Sequence, residues 1–218
     1  MDFLMELLNL FLHLDQVLAD VIRQYGLLTY AFLFLVIFLE TGLVVTPFLP
    51  GDSLLFAAGA LAATTDLNPL LLFALLGPAA ILGDAANYLI GQKIGQRAFD
   101  GSIRFLKREY LEKTHAFYEK HGNKTIVLAR FVPIVRTFAP FVAGVGKMTY
   151  LHFATYNVLG GLLWVALFTF GGYFFGEIPF VKQNFEFVVV GIILVSVLPA
   201  VFEWLKARRA SETKSINP

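Results

Sequence analysis

Glu40-Thr41-Gly42, followed shortly by Pro47-Phe48-Leu49-Pro50-Gly51-Asp52, interrupts an apolar run that begins at Gly26 and resumes from Ser53 to Ala63. A second apolar stretch, Thr125 to Gly146, is interrupted in the same way by Arg130, Pro133, Arg136 and Pro140. Each carries two prolines, and proline both removes a backbone donor and clashes with the preceding helical turn. Freed backbone groups at membrane depth are tolerated only where protein or a wet cavity satisfies them, so both segments read as re-entrant helical hairpins. A pair of kinked spanning helices is the alternative.

The setting follows from composition. Of 218 residues, 57% are hydrophobic and 15% charged, and the mean hydropathy is +0.70. That leaves too little polar surface to enclose a water-soluble core, so the chain reads as an integral membrane protein. About 20 apolar residues cross the hydrocarbon as a helix, which makes Asn68 to Gly91, Tyr150 to Gly176 and Phe185 to Leu205 straightforward spans. With Gly26 to about Leu43, that gives about four transmembrane helices. Residues 1–25 read as an interfacial amphipathic segment, because Asp2 and Glu6 stand where a secretory leader would be basic. Ser102 to His121 alternates apolar and basic residues at helical spacing, as an amphipathic connector at the cytoplasmic surface would.

Short matches relate the halves. Phe48-Leu49-Pro50 pairs with Phe131-Val132-Pro133, Ala58-Gly59 with Ala143-Gly144, and Tyr88-x-x-Gly91 with Tyr173-x-x-Gly176, at offsets of 83, 85 and 85 residues. Basic residues concentrate between Gln92 and Lys124 and in the tail from Lys206, which places both on the cytoplasmic side. The two hairpins then enter from opposite faces as an inverted repeat, an architecture that puts transporter sites near the midplane at broken helices. The chain divides accordingly into a first repeat (26–91, hairpin about 40–63), the connector (92–123), a second repeat (124–176, hairpin about 125–146), a final span (185–205) and a cytoplasmic tail (206–218).

The charges inside these segments are segregated by sign. Between Gln24 and Gln92 there is no Lys or Arg, yet Glu40, Asp52, Asp66 and Asp84 are present; between Lys120 and Gly176 there is no Asp or Glu, yet Arg130 and Arg136 are. An isolated charge in apolar surroundings costs several kcal/mol, so acids of one half and bases of the other are expected to face a shared polar cavity. Arg130 and Arg136 offer planar forks suited to phosphate, and Glu40 and Asp52 are candidates for proton exchange beside them. A buried ion-pair lock with no ligand is the plainer reading of the same four residues. Asp84, Asn87, Tyr88 and Gly91 share one helical face, where Asp84 either extends the cavity or bonds a neighbouring helix. Pro50, Gly51 and Pro133 shape the two breaks. Asp66 reads as a solvated loop residue and Gly122 as a turn.

Other chemistries lack support. There is no cysteine, no paired metal-ligand spacing and no nucleophile elbow, so neither a metal, a cofactor nor enzymatic activity is expected. A net charge of +1 gives no footprint for nucleic acid. Homo-oligomerisation stays open.

Taken together, Glu40-Thr41-Gly42-Leu43, Pro47-Phe48-Leu49-Pro50-Gly51-Asp52 and Ala129-Arg130-Phe131-Val132-Pro133-Ile134-Val135-Arg136-Thr137 resemble the signature motifs of the DedA family, also called the VTT or SNARE-associated family. The resemblance runs along nearly the whole chain, including Tyr118-Glu119-Lys120-His121-Gly122 and Tyr173-Phe174-Phe175-Gly176. It implies a multi-pass protein of the bacterial inner membrane with both termini cytoplasmic. It also implies proton-motive-force-linked translocation of a lipid such as undecaprenyl phosphate or another anionic phospholipid, in support of envelope integrity, with roles for Glu40, Asp52, Arg130 and Arg136. A proton-coupled small-solute or ion antiporter, or a structural membrane-organising protein, would use the same charges differently.

Overall fold

The computed structural model describes residues 14–43, 51–94, 114–115, 118–119, 122–176, 178–185, 187–188 and 190–192, and these contain helices and no strand. In chain order the helices are α1 (Leu14–Tyr25), α2 (Leu28–Gly42), α3 (Gly51–Ala62), α4 (Pro69–Ile94), α5 (Thr125–Ala129), α6 (Pro133–Val145), α7 (Tyr150–Phe175) and α8 (Pro179–Gln183). Pro50, most of the connector, the first part of the interfacial segment, most of the 185–205 span and the tail lie outside the described residues.

Local sequence sets where these helices begin. Asn68 caps α4, its Oδ1 accepting the backbone N–H groups of Leu70 at 2.9 Å and Leu71 at 3.2 Å, with Pro69 at the first helical position. The break between α5 and α6 has a similar cause. Pro133 occupies the start of α6 and holds Val132 extended, at φ −124° and ψ 104°, because proline disfavours helical geometry in the residue before it. Pro140, expected to interrupt this segment, instead lies inside α6, so a single break precedes Pro133. Gly122 has the positive φ of a turn residue, +59°.

Among the described residues only α4 and α7, at 26 residues each, are long and apolar enough to cross a membrane. A 12-residue helix such as α3 extends about 18 Å, well short of the hydrocarbon thickness of about 30 Å. The polarity of the molecule is inverted relative to a water-soluble fold. Leu70, Leu82, Leu151, Leu159, Leu163, Leu167 and Phe174 are exposed on the long helices while Glu40, Asp84, Asn87, Arg130 and Asn157 are buried. Such a surface is stable against lipid and not against water.

Helix α3 is buried along nearly its whole length and packs on α7, while α6 packs on α4 and α2 also lies along α4. Glycines permit the closest of these approaches. A Cβ on Gly59 of α3 would strike the Thr169 carbonyl of α7, and one on Gly172 of α7 would strike the Phe56 carbonyl of α3. The same reciprocal contact joins α6 and α4: Gly144 against the Tyr88 carbonyl, Gly91 against the Phe141 carbonyl. The short helices of the two pairs thus correspond at an offset of 85, as the sequence matches anticipate, but the long helices correspond at 81, pairing Gly91 with Gly172 rather than Gly176. The difference is one helical turn: the Tyr-x-x-Gly match points to Gly176, whereas the backbone contact with the short helix falls on Gly172, four residues earlier.

Candidate functional site

The breaks in the two apolar segments deliver charged side chains to one place, near the middle of both long helices. Glu40 arrives from the last turn of α2, on the buried face it shares with Leu33 and Ile37. Asp52 lies in the first turn of α3, Asp84 in the interior of α4, Arg130 at the C-terminal end of α5 and Arg136 in the first turn of α6.

These five groups form two ion-paired sets. In the first, Arg136 uses Nη2 toward Glu40 Oε1 and Nη1 toward Asp52 Oδ1, the latter at 2.7 Å. Charge-assisted bonds to two separate carboxylates use the fork geometry that distinguishes arginine from lysine. The Gly51 N–H also donates to Glu40 Oε1, at 3.2 Å. That carboxylate rests directly on the Gly51 backbone, where any Cβ would collide with it. In the second set, Arg130 Nη2 pairs with Asp84 Oδ2 and donates to Asn157 Oδ1 at 2.6 Å. Asn157 is itself held by donation from Nδ2 to the Ile81 carbonyl at 3.0 Å.

Trp164 stands between the two sets. Its indole Nε1 donates to Asp52 Oδ1 at 2.7 Å, and the Arg130 and Arg136 guanidinium carbons lie 5.9 and 5.5 Å from its ring centroid. Both fall within cation–π range. Sequence reading missed Trp164 and Asn157. The signal was present in Asn157-x-x-Gly160-Gly161-x-x-Trp164, one helical face on which the two glycines leave room for the Arg130 side chain, 3.2 to 3.3 Å from where their Cβ atoms would sit. What was missing is that the polar positions of an apolar helix acquire meaning only when a partner is known to reach them.

Asn87 fastens the two broken segments together. Its Nδ2 donates to the carbonyls of Thr41 at 3.2 Å and Thr137 at 2.9 Å, neighbours of Glu40 and Arg136 respectively. Tyr88, expected beside Asp84, instead turns toward the end of α6 and donates its hydroxyl to the Met148 carbonyl. Asp84 accordingly does both things its position allowed, lining the cavity and binding α5. Asp66 is exposed.

A cavity of about 10 Å³ remains among Glu40, Asp84, Arg130, Arg136 and Trp164, room for about one water molecule. The site is therefore closed around its charges. Among the described residues no group of three or more His, Cys, Asp or Glu side chains is arranged to hold a metal. The indole bond gives a direct test. Trp164→Phe keeps an aromatic face but leaves Asp52 without that donor, and is expected to lower stability by about 1.5–3 kcal/mol, the range for hydrogen bonds to charged groups. Trp164→Leu, which also removes both cation–π contacts, should cost more. Equal melting temperatures for the two variants in detergent would contradict this account.

The sequence is similar to those of known membrane proteins. A family model described as the VTT domain matches residues 49–174. The chain is 58% identical over 214 residues to Protein DedA of Escherichia coli strain K12, covering 97% of this chain and 98% of that one. It is 45% identical over 180 residues to an uncharacterized membrane protein of Mycobacterium leprae, with 82% and 81% coverage. To the inner membrane protein YghB of Escherichia coli strain K12 it is 36% identical over 169 residues, 77% of each chain. No solved structure gives a significant match.

Proposed function

The chain belongs to the DedA family of VTT-domain membrane proteins, and from that premise we propose that it is a proton-motive-force-linked lipid transporter. Its cargo is undecaprenyl phosphate or a related anionic phospholipid, carried across the bacterial inner membrane. One observation carries the reading: two guanidiniums and three carboxylates, drawn from two broken apolar segments and a long helix, meet in the interior, and all of them but Asp52 line a water-sized cavity.

In this reading α2–α3 and α5–α6 are re-entrant hairpins entering from opposite faces, and the C-terminal tail is cytoplasmic. Helix α2, at 15 residues and with Tyr30 beside Asn68 at the start of α4, is then an arm of the first hairpin rather than the outward span expected of Gly26 to about Leu43. The short lengths of α3 and α6 support it, as do the paired glycine contacts with the long helices. The lipid tail stays in the bilayer while the headgroup phosphate takes the place of a carboxylate on an arginine fork. Glu40 and Asp52 compensate by exchanging protons, which links movement of the anion to the proton gradient. Each of the five charged groups has an ion-pair partner.

That same complete pairing also favours the plainer reading, a structural lock that joins the hairpins and binds nothing. Glu40→Gln separates the two. A lock predicts loss of folded protein in detergent; a transporter predicts a folded protein with impaired lipid flux. In vesicles reconstituted with a polyprenyl phosphate, Arg130→Ala and Arg136→Ala are expected to abolish return of the lipid to the cytoplasmic face. Arg136→Lys should rescue little of it, because a compact ammonium lacks the planar, two-armed fork that reaches Glu40 and Asp52 at once. Undiminished flux in the alanine variants would remove the assignment.

A further inference from the structure

The two ion-paired sets are built differently, and their charge balance gives the coupling ratio of the proposed transport; the inference rests on that reading. Arg130 is 5% exposed and seated on the Gly160–Gly161 face of α7, with one carboxylate and one amide as partners. Its set is neutral and ties α5 to both long helices. Arg136 is 13% exposed, and both of its carboxylates come from α2 and α3. With all groups ionised, its set carries one negative charge in excess.

Within that set the two acids are not equivalent. Asp52 Oδ1 accepts from both Arg136 Nη1 and the Trp164 indole. Glu40 is 2% exposed, and its Oε2 is the one carboxylate oxygen among the buried, unpartnered side-chain atoms of the described residues. A buried anionic oxygen with no donor is costly, and protonation lowers that cost because a neutral polar group is cheaper to bury than a charged one. The charged groups facing Glu40 are Asp52 from α3, Asp84 from α4, Arg130 at the end of α5 and Arg136 from α6. Trp164, which α7 places in the same cavity, is uncharged.

We propose that Arg136 is the exchangeable arm and that, of the two acids assigned to proton exchange, Glu40 alone takes up the proton, one for each singly charged headgroup accepted, while Asp52 and the Arg130–Asp84 pair stay as they are. The balance closes. Replacing ionised Glu40 on the guanidinium by a monoanion, with one proton from solution added to Glu40, leaves the net charge of the cluster unchanged. The one-water cavity beside Glu40 gives that proton a vehicle. The cycle is an electroneutral one-to-one symport of proton and anion.

The test uses the purified full-length chain in detergent and octyl sulfonate, below its micellar concentration, as a permanent monoanion that binds no proton itself. Calorimetric titration in buffers of different ionisation enthalpy counts the protons taken up on binding. About one proton per bound probe is expected, with Kd rising about tenfold per pH unit wherever that proton must be supplied by solution. Glu40→Gln should bind the probe with no proton uptake, and Asp52→Asn should keep it. Wild-type binding without uptake, or uptake surviving Glu40→Gln, would overturn the inference and leave the transport reading standing; no binding at all would overturn both. If Glu40→Gln fails to fold, the wild-type proton count together with its persistence in Asp52→Asn decides the matter, and loss of uptake in Asp52→Asn would overturn the inference.

Discussion

Replacing Arg136 with alanine is expected to produce the largest loss of any single substitution, in stability and in transport together. Among the described residues its guanidinium alone pairs directly with both Glu40 and Asp52, through Oε1 and Oδ1. Without it, two like-charged carboxylates face each other in a buried site. Removing one partner of a buried ion pair generally costs about 3–5 kcal/mol, because the remaining charge keeps its desolvation penalty and loses its compensation. The melting temperature in detergent should fall accordingly, and lipid flux should vanish. A triple variant assigns the cause. In Glu40→Gln, Asp52→Asn, Arg136→Gln the whole set is neutral, so stability should return toward that of the wild type while flux stays absent. If Arg136→Ala unfolds no more readily than wild type, the ion pairs are not what holds the two segments together.

The second large effect is expected outside the charged cluster itself. Gly59→Ala would place a methyl group on the Thr169 carbonyl of α7, and Gly144→Ala would place one on the Tyr88 carbonyl of α4. Neither obstacle is the end of a flexible side chain, so the helices themselves must part. Overpacking of this kind costs about 1–3 kcal/mol at each site. Because α3 carries Asp52 and α6 carries Arg136, the displacement also loosens the charged cluster, and the double variant should lose flux although every charge remains. Gly171→Ala supplies the control. That glycine lies on α7 with nothing within 4 Å of its missing Cβ, and the exchange should stabilise the helix by about 0.5–1 kcal/mol. Equal behaviour of all three variants would sink the close-packing account.

The residues that form the site were legible in the sequence because of a conflict between side chain and surroundings. Glu40, Asp52, Asp84, Arg130 and Arg136 are too costly in apolar segments to be left unpaired, and their separation by sign required that the two halves meet. Proline marked one break well, since Pro133 constrains Val132 whatever the tertiary context. It marked Pro140 wrongly, because an interior proline is tolerated where surrounding packing holds the helix.

Composition and charge therefore determined by themselves that the chain belongs in a membrane, that its apolar run breaks before Pro133, and which charged residues must find one another. Only the tertiary structure decided the pairing. That Arg136 takes Glu40 and Asp52 while Arg130 takes Asp84 and Asn157 depends on how the helices cross, which glycine contacts at Gly59, Gly91, Gly144 and Gly172 control. The role of Trp164 belongs to the same class. An indole in an apolar helix is ordinary until packing sets two guanidiniums and a carboxylate around it, because long-range neighbours are fixed by the summed packing of whole helices and not by any local run of residues.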